Sequence, residues 1–242
     1  MPEPAPAPDA YLRPALRPRA LDSALQRRAV LAFLEEIGPT LSGVVLDVGC
    51  GHQPYRELLT GPQRGTQLYV GIDLPPTRYR SPDVVWEGTA LPLRTASVDA
   101  AIATELLEHV PDPMPLLREV HRVLRPGGRL HLTVPYLWPL HDVPDDQYRY
   151  TPFALERILR AAGFDDIELR ATGGWDASLA QMLGLWVRRR PMSRRLRAPL
   201  SIVLTPVVAA LARLDRRPAR FTESTMLTGI SGWAGKRSAS SR

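Results

Sequence analysis

The 242-residue chain has one cysteine, Cys50, so no intrachain disulfide can form. That usage fits a reducing compartment. It has one lysine, Lys236, so arginine is its default cation. Aromatic residues are only 7% of the chain, which disfavours a module built to stack sugars or bases. The opening MPEPAPAPDA does not read as a signal peptide, because no apolar stretch follows a charged start. No internal repeat is present. The longest charge-free run after residue 188, Ala198 to Ala212, falls short of the ~20 apolar residues a spanning helix needs. A cytoplasmic protein is therefore expected.

What is present is enough for one ordinary domain with an appendage: apolar residues make up 44%. The net charge of +6 is uneven. Ten arginines and a single acid, Asp215, lie between Arg188 and Arg220, so the remainder is slightly acidic. Such a block suits an anionic partner, either nucleic acid, phospholipid or an acidic ligand. It equally suits a solvated surface in an arginine-biased chain.

Residues 1–18 hold six prolines and are expected to be extended or disordered. Helical spacing of apolar residues runs from Leu21 to Ile37, and Gly38-Pro39 ends it. A regular alternation then begins. Strands are expected at Val44–Gly49, Leu68–Leu74, Asp83–Trp86, Asp99–Thr104, Arg129–Pro135 and Asp166–Ala171. Helices are expected from about Pro54 to Leu59, Met114 to Leu124 and Thr151 to Ala162. The last has Thr151 as N-cap and Pro152 at the first helical position. Arg125–Gly128 (RPGG) should stop the middle helix. This order predicts a Rossmann-like, doubly wound α/β fold with a mostly parallel sheet.

The strongest local feature is VVLDVGCGHQPY, Val44 to Tyr55. A strand delivers Asp47, and Gly49 and Gly51 then turn the chain toward a helix whose free amides face a ligand. Alone, such a turn is weak evidence, since structural glycine turns are common. Asp73 ends the second strand, 22 positions after Gly51, where an acid suits the ribose hydroxyls of a nucleoside. A dinucleotide site usually reads G-x-G-x-x-G. Here no third glycine follows, and Asp47 would repel a pyrophosphate while suiting an ammonium and a sulfonium.

These residues resemble the class I S-adenosylmethionine-dependent methyltransferases, in particular the ubiquinone and menaquinone methyltransferase-like group. Five blocks match in order: LDVGCG (Leu46–Gly51), VGID (Val70–Asp73), EGTALPL (Glu87–Leu93), VDAAIATELLEHVPDP (Val98–Pro113) and EVHRVLRPGGRLHLTVP (Glu119–Pro135). The resemblance implies S-adenosylmethionine as cofactor and a seven-stranded sheet. It implies that Asp47, Gly49 and Gly51, with Cys50 between them, line the methionine side. It places Asp73 and the following Leu74 at the ribose, and Thr104 near the methionine moiety. Glu87, with Gly88 after it, stands where the family commonly has an aspartate reaching the adenine amino group. Gln53 replaces a small residue or glycine.

Two histidines are candidates for a general base. His109, in the Glu108–Val110 turn, is the weaker, because such histidines more often pack locally. His141 is preferred, as its ordinary pKa lies near neutrality. It sits in the Pro139–Thr151 loop after the fifth strand, which faces the acceptor in a doubly wound sheet. Tyr136, Tyr148 and Arg149 are expected acceptor contacts, against a plainer reading in which the loop is tied by its own Asp–Arg pairs. No metal is expected. Methyl transfer is an in-line displacement that needs mainly an acceptor atom about 3–3.5 Å from the methyl carbon.

The segment from about Ala177 to Thr222 reads as a helical, arginine-rich insertion before a last strand within 223–237. The core is expected over 41–176 after an N-terminal helix in 19–40, with a disordered tail at 238–242. Residues 188–217 suggest peripheral contact with the inner membrane face, or packing on the domain or on a second subunit as a homodimer. The acceptor is expected to be a small molecule, or one of lipid or glycan type. The alternatives are a catalytically silent methyltransferase-like partner subunit, or a nucleic-acid methyltransferase. The last is disfavoured because no Asn-Pro-Pro-Tyr-type motif occurs and TVPY (Thr133–Tyr136) is no substitute.

Overall fold

The computed structural model describes residues 9–75, 82–88 and 90–238. Thr89 of the third matching block, the first eight residues of the proline-rich segment and positions 239–242 of the tail lie outside them. The elements are α1 (Asp9–Leu12), α2 (Ala24–Ile37), β1 (Ser42–Val48), α3 (Arg56–Thr60), β2 (Gly65–Asp73), β3 (Val84–Val85), β4 (Val98–Thr104), α4 (Pro113–Val123), β5 (Leu124–Pro135), α5 (Pro152–Ala161), β6 (Asp166–Ala171), α6 (Trp175–Arg189), α7 (Arg194–Leu214) and β7 (Gly229–Gly235).

Seven strands form one sheet in the order β3-β2-β1-β4-β5-β7-β6. β7 runs antiparallel to both neighbours, and the other pairings are parallel. This is the expected Rossmann-like, mostly parallel arrangement. β1 lies between β2 and β4, and its alternate side chains feed two cores. Leu46 and Val48 enter the larger one with Ile72, Leu117, Leu132 and Leu155. Val45 packs on the other face with Phe33, Leu34 and Ile37 of α2. Each such buried aliphatic side chain contributes roughly 1.5–3 kcal/mol, and burial on both faces is why β1 reads as a continuous apolar run.

Helix starts follow their local chemistry. Asp112 accepts the Met114 amide at 3.1 Å ahead of Pro113, and Thr151 accepts the Ala154 amide at 3.2 Å ahead of Pro152. Three expectations shift. The Arg125–Gly128 stop belongs to β5, which starts at Leu124; the extra residues are absorbed where the β4–β5 register shifts and Gly127 takes φ +85°. Residues Asp9–Leu12 form a helical turn instead of extended chain, because Tyr11 packs edge-on against Tyr55 with ring centres 5.9 Å apart. And α7 is 21 residues long, running through Pro199 and Pro206, since arginines at both ends join the fifteen uncharged residues.

α6 and α7 pack against each other and against the segment before α2, with Leu21, Ala180, Val187 and Val208 buried together. Gly184 permits this approach: a Cβ there would lie 2.2 Å from the Leu21 carbonyl oxygen. Asp215 joins the two helices. Its carboxylate accepts the amides of Gly174 (3.0 Å) and Ala177 (2.9 Å) at the start of α6. The pair leaves the sheet after Ala171 and returns at Gly229, which pairs with Pro135. It therefore projects from the edge at which β1, β2, β4, β5 and β6 end.

Candidate cofactor and acceptor site

A cleft of about 460 Å³ opens at that edge. It is lined by Asp47 of β1 and Gly49, Cys50 and Gly51 after it, by Asp73 at the end of β2 and Leu74 after it, and by Thr104 at the end of β4. His109 and His141 line its other side. The turn needs its glycines. Gly49 and Gly51 take φ +70° and +53°, in the left-handed region. A Cβ on Gly49 would also meet Leu106 Cδ1 at 2.6 Å. Gln53 takes φ +53° as well, so the position at which glycine is usual keeps a glycine-like conformation. Its Oε1 accepts Arg56 Nη1 at 2.6 Å.

Asp73 closes the turn from the neighbouring strand. Its Oδ2 accepts the Gly51 amide at 2.8 Å and its Oδ1 the Leu74 amide at 2.7 Å. Asp47 is buried. Tyr69 Oη donates to its Oδ2, while Oδ1 has no hydrogen-bond partner. Burial pushes its pKa up to about 7, against the Tyr69 hydroxyl, which favours the charged form. A buried carboxylate oxygen without a donor, on a residue that lines the cleft, fits a ligand cation.

Glu105 has φ +51° and takes a hydrogen bond from Gln26 of α2. Burial likewise pushes its carboxyl to about 7, opposed by hydrogen bonds from Thr133 and Gln26. With Asp142 and Asp145 it brings the acids lining the cleft to five, and no arginine or lysine lines it among the described residues. In a chain of net charge +6, that concentration of negative charge selects for cationic or neutral ligands and against polyanions. A second cleft of about 490 Å³, between α2 and β6, lies away from the glycine turn. Its Arg170 is already held by Glu36 and Glu168.

The Pro139–Thr151 loop is pinned to the turn after β4. The Glu108 carbonyl accepts the amides of Gln147 (2.8 Å) and Tyr148 (3.1 Å), and Tyr148 Oη donates to the Pro111 carbonyl at 2.6 Å. Arg149 forks onto Asp146 at 2.7 and 2.8 Å and also donates to the Tyr148 carbonyl. Burial alone would raise Asp146, but the Arg149 fork and the His141 amide outweigh it and bring its pKa down to about 2. Tyr136 packs against the core. Tyr136, Tyr148 and Arg149 therefore do not line the cleft; the latter two shape the loop that presents His141. Glu87 and Gly88 do not line it either. Glu87 is exposed beyond β3, and Gly88 lies against Leu74.

His141 has Nδ1 3.2 Å from Asp146 Oδ2, and its ring stands edge-on to His109 with centres 4.7 Å apart. Burial, and then the nearby His109, lower the His141 pKa, so it is neutral at pH 7. His109 directs Nδ1 at the Asp145 carbonyl, 3.2 Å away. Glu108 is fully buried beside it, with neither carboxylate oxygen hydrogen-bonded. Each of Glu108, His109 and His141 offers an atom of a kind that binds metals, all within 4.8 Å of one another. The sequence carried no expectation of a metal, because His141 lies 32 positions from His109 and only the loop's fold joins them.

Residues 46–132 match the methyltransferase domain family. Over those residues the chain is similar to methyltransferase domains. An uncharacterized methyltransferase of Mycobacterium sp. (strain KMS) is 37% identical over 92 residues, 35% of each protein. A ubiquinone biosynthesis O-methyltransferase of Pseudomonas paraeruginosa is 31% identical over 114 residues, 42% of this chain and 48% of that one. The chain thus aligns with less than half the length of these relatives. Among solved structures, the [4+2]-cyclase SpnF superposes with TM-score 0.54 at 21% identity, covering 88% of this chain and 82% of its own. The phosphoethanolamine N-methyltransferase 2 of Haemonchus contortus, solved with S-adenosyl-L-methionine, gives 0.52 at 17% identity, covering 98% and 61%. These likenesses extend the methyltransferase fold beyond the matched residues. That a cyclase shares it shows why the site, and not the fold, must carry the activity.

Tyr11, Gln26, Tyr55 and Glu105 were not among the residues singled out from the sequence. Tyr11 and Tyr55 line the cleft beside Asp47, and Gln26 reaches in from α2. Tyr55 closes the Val44–Tyr55 stretch and Glu105 adjoins Thr104 in a matching block, whereas Tyr11 and Gln26 lie outside every recognised block.

Proposed function

We propose that the protein transfers a methyl group from S-adenosylmethionine to a neutral or cationic small-molecule acceptor. The observation that carries this reading is the buried, unpartnered Oδ1 of Asp47 beside the glycine turn held by Asp73. When bound, S-adenosylmethionine supplies an electrophilic methyl on a sulfonium, and the cleft's negative charge favours that cation. Asp47 meets the positive end of the ligand, Asp73 the ribose, and Thr104 the methionine portion. Tyr11 and Tyr55 wall the cleft against water.

The acceptor uses a lone pair to form the new bond to carbon, and the sulfur keeps the electron pair of the bond that breaks. Where the acceptor atom carries a proton, neutral His141 takes it, and ionised Asp146 stabilises the imidazolium that results. Tyr148 and Arg149 act as positioning residues for that loop.

The test is transfer of labelled methyl from S-adenosylmethionine into a panel of amine, phenol and alcohol acceptors. Label appearing in an acceptor supports the reading. Tight cofactor binding with no transfer to any class would favour the silent partner-subunit reading instead. A nucleic-acid acceptor is disfavoured by the five acids lining the cleft.

A further inference from the structure

The α6–α7 pair shows an apolar surface left exposed among the described residues. On α6, Trp175, Leu179, Met182 and Trp186 are all exposed, at helical spacing on one stripe, with Trp175 66% accessible. On α7, Ile202, Val203 and Val207 are exposed and Pro206 and Ala210 stand among them, so the helix carries no charge from Ala198 to Ala212. Soluble monomers rarely leave so many large apolar groups contiguous in sequence and exposed. The helix has the length to cross a bilayer, but its other face is packed. Gln181 of α6 donates to the Leu137 carbonyl of the core, and Asp215 ties the end of α7 to the start of α6. The pair is held against the domain.

Its charges identify what covers it. Arginines crowd both ends of the stripe. Arg194 and Arg195 are exposed at the start of α7, and Arg213, Arg216 and Arg217 at its far end. Asp215, the one acid between Arg188 and Arg220, is spent on the α6 amides. Arg190 lies over the Trp186 ring, 4.3 Å from its centre. Apolar side chains between two clusters of guanidinium groups, with tryptophans at the boundary, match a bilayer surface, where acyl chains lie beneath anionic phosphates. A second copy of the chain would set like charges against like.

We propose that α6 and α7 dock the protein on an anionic phospholipid surface, the apolar stripes entering the headgroup boundary and the arginines contacting phosphates. Because the pair projects from the edge that carries the cleft, docking holds the cleft's edge of the sheet toward the membrane. The proposal goes beyond methyl transfer and stands independently of it.

The test is sedimentation of the full chain with phosphatidylcholine vesicles, alone and with about one third phosphatidylglycerol. The protein should sediment with the anionic vesicles only and be released at about 1 M salt, where the Debye length is about 3 Å. Trp175→Ser with Trp186→Ser should weaken partitioning at least tenfold. So should Arg194→Gln with Arg195→Gln, a pair that leaves the packed faces untouched. The arginine variant should keep the wild-type melting temperature. No sedimentation of the wild type overturns the proposal. So does a dimer in sedimentation velocity that the tryptophan variants dissociate, since the stripe is then a subunit interface. Retention in the membrane at alkaline pH overturns it too, in favour of a spanning helix.

Discussion

The Asp73 carboxylate accepts the Gly51 amide at 2.8 Å, so the acid that ends β2 holds the glycine turn that follows β1. The two residues lie 22 positions apart and meet because β1 and β2 pair in parallel, with Asp47 opposite Gly71. In the proposed reading that one carboxylate has two tasks, shaping the turn and presenting a face to the ligand.

These tasks separate by substitution. Asp73→Asn keeps an oxygen that can accept the Gly51 amide but loses the charge and the acceptor of the exposed Leu74 amide, which water can replace. It should weaken S-adenosylmethionine binding about 10-fold or more with little change in melting temperature. Asp73→Ala should lose binding and also about 1–2 kcal/mol of stability. Calorimetric titration and thermal melts read both; equal affinity in the Asn variant would refute the assignment.

The Asp47 pKa of about 7 stands well above its unfolded value of 3.8. Between these values the folded chain binds the extra proton, so this group makes the free protein less stable as pH rises from 4 to 7. A ligand cation favours the ionised carboxyl, so cofactor affinity should move the other way. It should fall up to about tenfold per pH unit below 7 and level off above it. Titration across pH 5.5–8.5 should show this slope in the wild type and a flat profile in Asp47→Asn.

His141→Gln should reduce kcat by about 10²–10⁴-fold for an acceptor that must lose a proton, with cofactor affinity unchanged. Since the His141 pKa lies below its ordinary value of 6.5, the wild-type rate should hold down to that pH before its acid limb begins. The same loss on chelation, restored by a divalent cation, would instead make His141 a metal ligand with Glu108 and His109.

Lys236 donates to the carbonyls of His121 (2.8 Å) and Leu124 (2.7 Å), satisfying acceptors left open at the end of α4. Lys236→Met should lower stability by about 1–3 kcal/mol in denaturant titration. Gly184→Ala should cost about 1–3 kcal/mol by driving α6 away from the Leu21 carbonyl. An unchanged midpoint in either would show that the contact is dispensable.

The sheet was legible in the sequence because each central strand is buried on both faces and so reads as an unbroken apolar run. The glycine turn and Asp73 were legible because unusual torsions and a strand-end acid leave local marks. What was not legible depends on distant segments meeting. Tyr11 lies in a proline-rich stretch, and nothing nearby shows that it reaches Tyr55. Arg149 looked like a ligand contact, yet Asp146, three residues before it, claims its fork.

Direct titration of the free protein with S-adenosylmethionine tests the central claim most directly. Saturable one-to-one binding, at least tenfold weaker in Asp73→Asn, is the expected result. No heat change at millimolar ligand, with the wild-type fold intact, would contradict it.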